Sequence, residues 1–203
     1  MTARAGNDPG GLTSTLSRVP RLRKVVDWLL TIAIAIAVVL LFEAEVAKPY
    51  RVPSPSMEPT LHCAKPTSYC QGSQDDRVIA NRLAYRFSNP KRGQIVVFKA
   101  PAKAREECGE GGTYVKRLIG MPGDSIVERE GKLTINGKPL KEPYVKPSLR
   151  DMGSGYWVVP KGHYFFMGDD RAHSCDSRDW GSVPRSSLIG PVLLKYWPPD
   201  RWF

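Results

Sequence analysis

Histidine and cysteine are scarce in this chain, three and four of 203 residues. The histidines are scattered and no two cysteines stand in Cys-x-x-Cys spacing, so the usual ligand patterns for zinc are missing and no metal is expected. No lysine/arginine run lies along a helix, and no nucleic-acid motif or series of base-stacking aromatics is found. The net charge of +10 therefore points to a membrane surface rather than to nucleic acid, or simply to a solvated basic surface. Beyond residue 42 no helix longer than two turns is indicated, and no internal repeat occurs, which excludes helical bundles and solenoids. What remains is an ordinary globular composition, 41% hydrophobic and 25% charged, with room for one domain and a small appendage.

Residues 1–24 read as a disordered tail, rich in Gly, Ser, Thr and Arg without periodicity. Val25–Phe42, VVDWLLTIAIAIAVVLLF, is apolar except for Asp27 and as a helix nearly covers a hydrocarbon core. Arg4, Arg18, Arg21, Arg23 and Lys24 precede it, which predicts a cytoplasmic N-terminus and an extracytoplasmic remainder. A cleavable signal peptide competes with a retained anchor. Phe42-Glu43-Ala44 and Glu45-Val46-Ala47 each put a poor residue at −3, and the run is long for such a peptide. On the oxidising side of a membrane, Cys63 with Cys70 and Cys108 with Cys175 form the preferred disulfide pairs. That is one of three connectivities, and free thiols are the other reading.

From residue 77 the pattern is β. Arg77–Tyr85, Ile95–Phe98, Thr113–Ile119, Ser125–Glu130, Lys132–Asn136, Tyr156–Val159, Tyr164–Met167 and Val192–Tyr196 are short apolar or alternating runs, separated by Gly, Pro and Asn. A hairpin is predicted to turn near Glu130-Gly131, and a second turn at Asn136-Gly137. Ala100–Gly112, charged and Gly-rich, reads as a mobile excursion. The expected fold is mainly β, an antiparallel domain over 48–203 behind one N-terminal transmembrane helix.

Three stretches carry chemistry. Pro53–Leu61, PSPSMEPTL, holds three prolines that forbid a regular helix or central strand. Ser54 and Ser56 then sit in a rigid, extended turn where the Ser56 N–H can stay free, as a serine nucleophile with an adjacent oxyanion donor requires. A Pro/Ser-rich linker is the plainer reading. In Thr113–Ile119, alternation puts Tyr114, Lys116 and Leu118 on one strand face and Arg117 on the other. A lysine among apolar groups loses hydration and its pKa falls, unless it snorkels to water from a sheet edge. Arginine would stay charged. Met121-Pro122-Gly123-Asp124 predicts a type II turn that pins the end of that strand. In Gly168–Arg178, GDDRAHSCDSR, Asp169 and Asp176 can pair with Arg171 and Arg178, leaving Ser174 to orient a neighbouring amine. His173 is the competing candidate for the base of a Ser-His-Asp triad, and a solvated charged loop is the bland alternative.

VPSPSMEPTL, YVKRLIGMPGD and GDDRAHSCDSR, in that order behind an N-terminal apolar span, closely resemble type I bacterial signal peptidases, with FSNPKRGQIVVF at 87–98 as a further family segment. The resemblance covers roughly residues 25–197. It implies a Ser–Lys dyad protease fold of coiled antiparallel sheets, shared with LexA-like self-cleaving regulators, anchored at the outer face of the cytoplasmic membrane. A single span looks like the Gram-positive or actinobacterial form. By this resemblance Ser56 is the nucleophile, Lys116 the general base, and Ser54 an oxyanion donor beside the Ser56 N–H. Ser174 would direct Lys116, Asp169, Arg171, Asp176 and Arg178 would hold that shell, and Val52, Pro53, Met57, Tyr114 and Val115 would line pockets for small side chains.

The implied activity is removal of signal peptides from secretory preproteins, with cleavage after small residues at −1 and −3. No cofactor, metal or nucleic acid is implied, the partners are preproteins and the lipid bilayer, and the expected state is a monomer. Gln94 stands where the family usually has aspartate and Asp170 where asparagine is common. A Ser–Lys self-cleaving regulator would need an N-terminal DNA-binding domain in place of an apolar span. A membrane-anchored, non-enzymatic scaffold is the alternative from another class.

Overall fold

The computed structural model describes residues 19–109 and 111–199. Most of the expected tail, including Arg4 and Arg18, lies outside the described residues. The chain divides into two units after Ala44. The first is helix α1 (Val19–Glu45), which begins inside the stretch read as tail and ends three residues past Phe42. Its Leu22–Leu41 segment has mean hydropathy 2.3 over 20 residues and buries nothing within the protein. At about 1.5 Å per residue it spans some 30 Å, the thickness of a hydrocarbon core. A helix suits that medium because it satisfies its own backbone polar groups.

The second unit is mainly β, and its paired strands all run antiparallel. β1 (Ala47–Arg51) leads through a single 3-10 turn, Pro55–Met57, to β2 (Arg77–Asn81). The run expected to continue to Tyr85 stops there, because Asn81 Oδ1 accepts from the Leu83 and Ala84 N–H groups, both at 3.0 Å. That Asn81 turn leads into α2 (Ala84–Phe87). β3 (Ile95–Lys99) is followed by α3 (Ala102–Cys108). Ala100–Gly112 is thus no loose excursion: Ala104 is fully buried in the core, and Cys108 is disulfide-bonded to Cys175.

β4 (Thr113–Gly120) turns through Met121–Asp124, closed by Asp124 N–H to Met121 O at 3.0 Å, into β5 (Ser125–Arg129). β6 (Lys132–Ile135) and β7 (Lys138–Pro139) follow. The hairpins stand where predicted, at Glu130-Gly131 and Asn136-Gly137, with both central residues at positive φ in each, as a type I′ turn demands. β8 (Gly155–Val158), β9 (His163–Met167), α4 (Ser177–Trp180), β10 (Val183–Pro184) and β11 (Leu188–Trp197) complete the chain.

The strands form a seven-stranded sheet, β1-β2-β11-β3-β4-β9-β10, and a four-stranded sheet, β7-β6-β5-β8. The period-2 alternation of β4 and β9 explains how the two pack. Leu118, Tyr164 and Phe166 join one core with Val96, Phe98 and Trp180. Ile119, Phe165 and Met167 point the opposite way into a second core with Ile126, Leu133 and Ile135. Both faces of β9 are covered, which is why it reads as a nearly unbroken apolar run. A third cluster of Val52, Met57, Leu61, Val78 and Ile95 fixes the serine-bearing turn on the large sheet.

Candidate active site

Pro55 stands in the first turn of the 3-10 helix, where a missing N–H costs nothing. The segment is therefore a helical turn rather than the extended one expected. Ser56 lies in that first turn, whose leading N–H groups find no partner inside the helix. Ser54 precedes it in extended conformation and makes no side-chain cap bond. Its hydroxyl instead lies 3.2 Å from Ser56 Oγ. Ser56 is 5% exposed, and its carbonyl accepts from the Asp170 N–H at 3.1 Å.

β4 supplies the base candidate. Val96 of β3 pairs with Lys116, and the alternation that buries Leu118 turns Lys116 to the same face. Lys116 is 4% exposed, with Nζ 5.9 Å from the centre of the Tyr114 ring, which itself stacks on Trp180. Nζ donates to Ser174 Oγ at 3.0 Å. Burial pulls its pKa down to about 8, against the opposing pull of the Asp176 carboxylate. About a tenth of the molecules would then carry a neutral amine at pH 7, against fewer than ~1 in 1,000 for an ordinary lysine.

The loop after β9 brings Ser174 to this lysine. Gly168 is obligatory there: a Cβ would lie 2.3 Å from both Ser174 Oγ and the Ser56 carbonyl oxygen. Asp176 is fully buried and caps α4 through a capping box with Asp179. It also accepts from the Gly168 N–H at 3.1 Å and from Arg178 at 2.9 and 3.0 Å. Burial pushes its carboxyl up, yet the Arg178 hydrogen bonds and charge outweigh that and hold it below the usual range.

The pairing expected for Asp169 and Arg171 is different in the structure. Asp169 takes a two-pronged bond from Arg117, at 2.7 and 2.6 Å, and accepts from Thr60 at 2.5 Å. Arg117 can reach it because alternation sends Arg117 to the face opposite Lys116. Arg171 bonds Glu142 and donates to the Gly168 carbonyl at 3.0 Å. Arg178 alone keeps its expected partner, and adds Asp151. Thr60, Arg117 and Glu142 were missed as supports. Thr60 lay within the PSPSMEPTL stretch, whereas Glu142 had no local signal.

A cleft of about 390 Å³ is lined by Ser54, Ser56, Lys116, Val52, Pro53, Tyr114 and Val115, together with Cys108, His173 and Cys175. Met57, expected on the pocket wall, is instead 1% exposed in the core, because the 3-10 turn aims it inward. His173 faces Asp170 at 3.0 Å and stacks on Tyr69 at 3.5 Å; among the described residues none of its contacts is a serine hydroxyl. Gln94 holds the turn before β3, accepting from Tyr85 Oη at 3.1 Å and Lys91 N–H at 2.9 Å. The cysteines pair as Cys63–Cys70 and Cys108–Cys175. Among the described residues no cluster of His, Cys, Asp and Glu could hold a metal ion.

The family described as signal peptidase, peptidase S26, matches residues 25–197. The probable signal peptidase I of Mycobacterium leprae (strain TN) is 34% identical, over 83% of this chain and 75% of that protein. The signal peptidase I of Leptolyngbya laminosa is 34% identical, over 84% and 79%. A signal peptidase I structure from Enterococcus faecalis V583 shares 31% identity and a TM-score of 0.42, covering 51% of this chain and 97% of that one. On the extent of the family match and the identity of these relatives, the chain belongs to the signal peptidases of the peptidase S26 family, serine endopeptidases.

Proposed function

We propose that this chain is a membrane-anchored signal peptidase that removes signal peptides from secretory preproteins through a Ser56–Lys116 dyad. The observation that carries the reading is Lys116: buried, depressed to a pKa of about 8, bonded to Ser174, and on the same cleft as Ser54 and Ser56. Neutral Lys116 takes the Ser56 proton as Oγ attacks the scissile carbonyl. The Ser56 N–H and the Ser54 hydroxyl stabilise the oxyanion, a donor of that kind contributing about 3 kcal/mol. The C–N bond then breaks, and the ammonium of Lys116 returns the proton to the leaving amine. Lys116, neutral again, activates a water that hydrolyses the acyl-enzyme. Shallow walls of Val52, Pro53, Tyr114 and Val115 favour small side chains at −1 and −3.

Helix α1 serves as the retained anchor, and the arginines and lysine at its start favour a cytoplasmic N-terminus with the β domain outside. The enzyme works as a monomer, without cofactor or metal. The test is cleavage of a preprotein bearing Ala-x-Ala before its mature start, scored by N-terminal sequencing of the product. Wild type cuts after the second alanine, while Ser56→Ala and Lys116→Ala are inactive. Near-normal cleavage by Lys116→Ala, with loss in His173→Ala, would transfer the base role to His173.

A further inference from the structure

A second cavity, of about 680 Å³, is walled by Lys48, Arg82, Arg86, Lys99 and Arg185. No carboxylate is among its lining residues. Lys48, Arg86 and Lys99 form no ion pair with any described residue, so three like charges converge here without a carboxylate partner among the described residues. Arg185 is held in place: it donates to Tyr164 Oη at 3.1 Å and to the Tyr85 and Ser88 carbonyls at 3.0 and 3.2 Å. Such a ring of cations around a fixed guanidinium matches a phosphate-bearing anion.

Two observations choose the source of that anion. Phe87, the residue after Arg86 on α2, is 85% exposed, an apolar side chain for whose exposure a site for a soluble ion gives no reason. Lys48 follows the last residue of α1 by three positions, so at most about 10 Å of extended chain separates them. We propose that this cavity binds the phosphate of an anionic glycerophospholipid headgroup, with Phe87 entering the adjoining acyl boundary. It is distinct from the peptide cleft, and it rests on the reading of α1 as a membrane span.

The test uses the full chain in neutral-detergent micelles, titrated with dioleoylphosphatidylglycerol or dioleoylphosphatidylcholine and read by native mass spectrometry. Wild type should take up the anionic lipid about tenfold more tightly than the zwitterionic one, and high salt should erase the difference. Lys48→Gln/Arg86→Gln/Lys99→Gln should lose about tenfold in affinity for phosphatidylglycerol while melting at the wild-type temperature. Should that triple variant fail to fold, the single reversal Lys99→Glu on the exposed end of β3 gives the same readout. Equal uptake of both lipids, or undiminished binding by the folded variants, overturns the proposal. So does inorganic phosphate that raises the melting temperature as much as the lipid at equal concentration, because the ligand would then be a soluble anion. Vesicle flotation of the wild type reads the anchor separately: a chain that does not float refutes the span, while the micelle titration still reports on the cavity.

Discussion

Lys116→Met should stabilise the fold at neutral pH, and by an amount that shrinks as the pH rises. The lysine pKa is about 8 when folded against an ordinary value of 10.5. Below pH 8 the folded state therefore carries the full cost of keeping a buried amine protonated. Between about 8 and 10.5 the unfolded chain binds more protons than the folded one, so wild-type stability climbs with pH. The linkage gives a penalty of about 3 kcal/mol at pH 7 and about 1 kcal/mol at pH 9.5. Methionine fills a similar volume without the charge, so the variant lacks this pH dependence; its loss of the Ser174 bond is a constant offset that cancels. Guanidinium unfolding of both full chains in dodecyl maltoside, followed by tryptophan emission, measures the difference at each pH. The gap between variant and wild type should narrow by about 2 kcal/mol from pH 7 to 9.5. A gap that stays constant across that range would mean Lys116 titrates alike in both states and is not desolvated.

If Lys116 is the base, as proposed, the same depression should set the pH profile of catalysis. kcat/KM should rise about tenfold per pH unit below 8 and level off above it, as the neutral amine becomes the main form; a profile flat from pH 6 to 9 would refute that role for Lys116. Gly168→Ala places a methyl against Ser174 Oγ and the Ser56 carbonyl. It should cost about 1–3 kcal/mol of stability and most of the activity, seen as a fall in kcat with Ala-x-Ala preprotein. Wild-type kcat in that variant would show that the serine turn and the Ser174 loop need not approach so closely.

Much of the site was legible because its determinants are local. Prolines confine Ser54 and Ser56 to a turn whatever lies around them. Strand alternation by itself assigns Lys116 and Arg117 to opposite faces, and positive-φ residue pairs locate the hairpins. The apolar run of α1 likewise follows from composition and length. What remained illegible depended on contacts between distant residues. Whether Lys116 is buried or snorkels is decided by distant residues such as Ser174, 58 positions away, which accepts from its Nζ. The partner of Asp169 was misread because Arg117, 52 positions away, outcompetes the nearer Arg171, which long-range Glu142 claims. Ala100–Gly112 looked mobile because nothing local reveals that Ala104 meets the core or that Cys108 meets Cys175. Met57 sits beside Ser56 in sequence and in the core in space, since a one-turn helix rotates neighbouring side chains apart. Local chemistry thus singled out Ser56 and Lys116 as candidates, whereas the burial and charge pairing that lower the Lys116 pKa were decided only when the sheets closed around it.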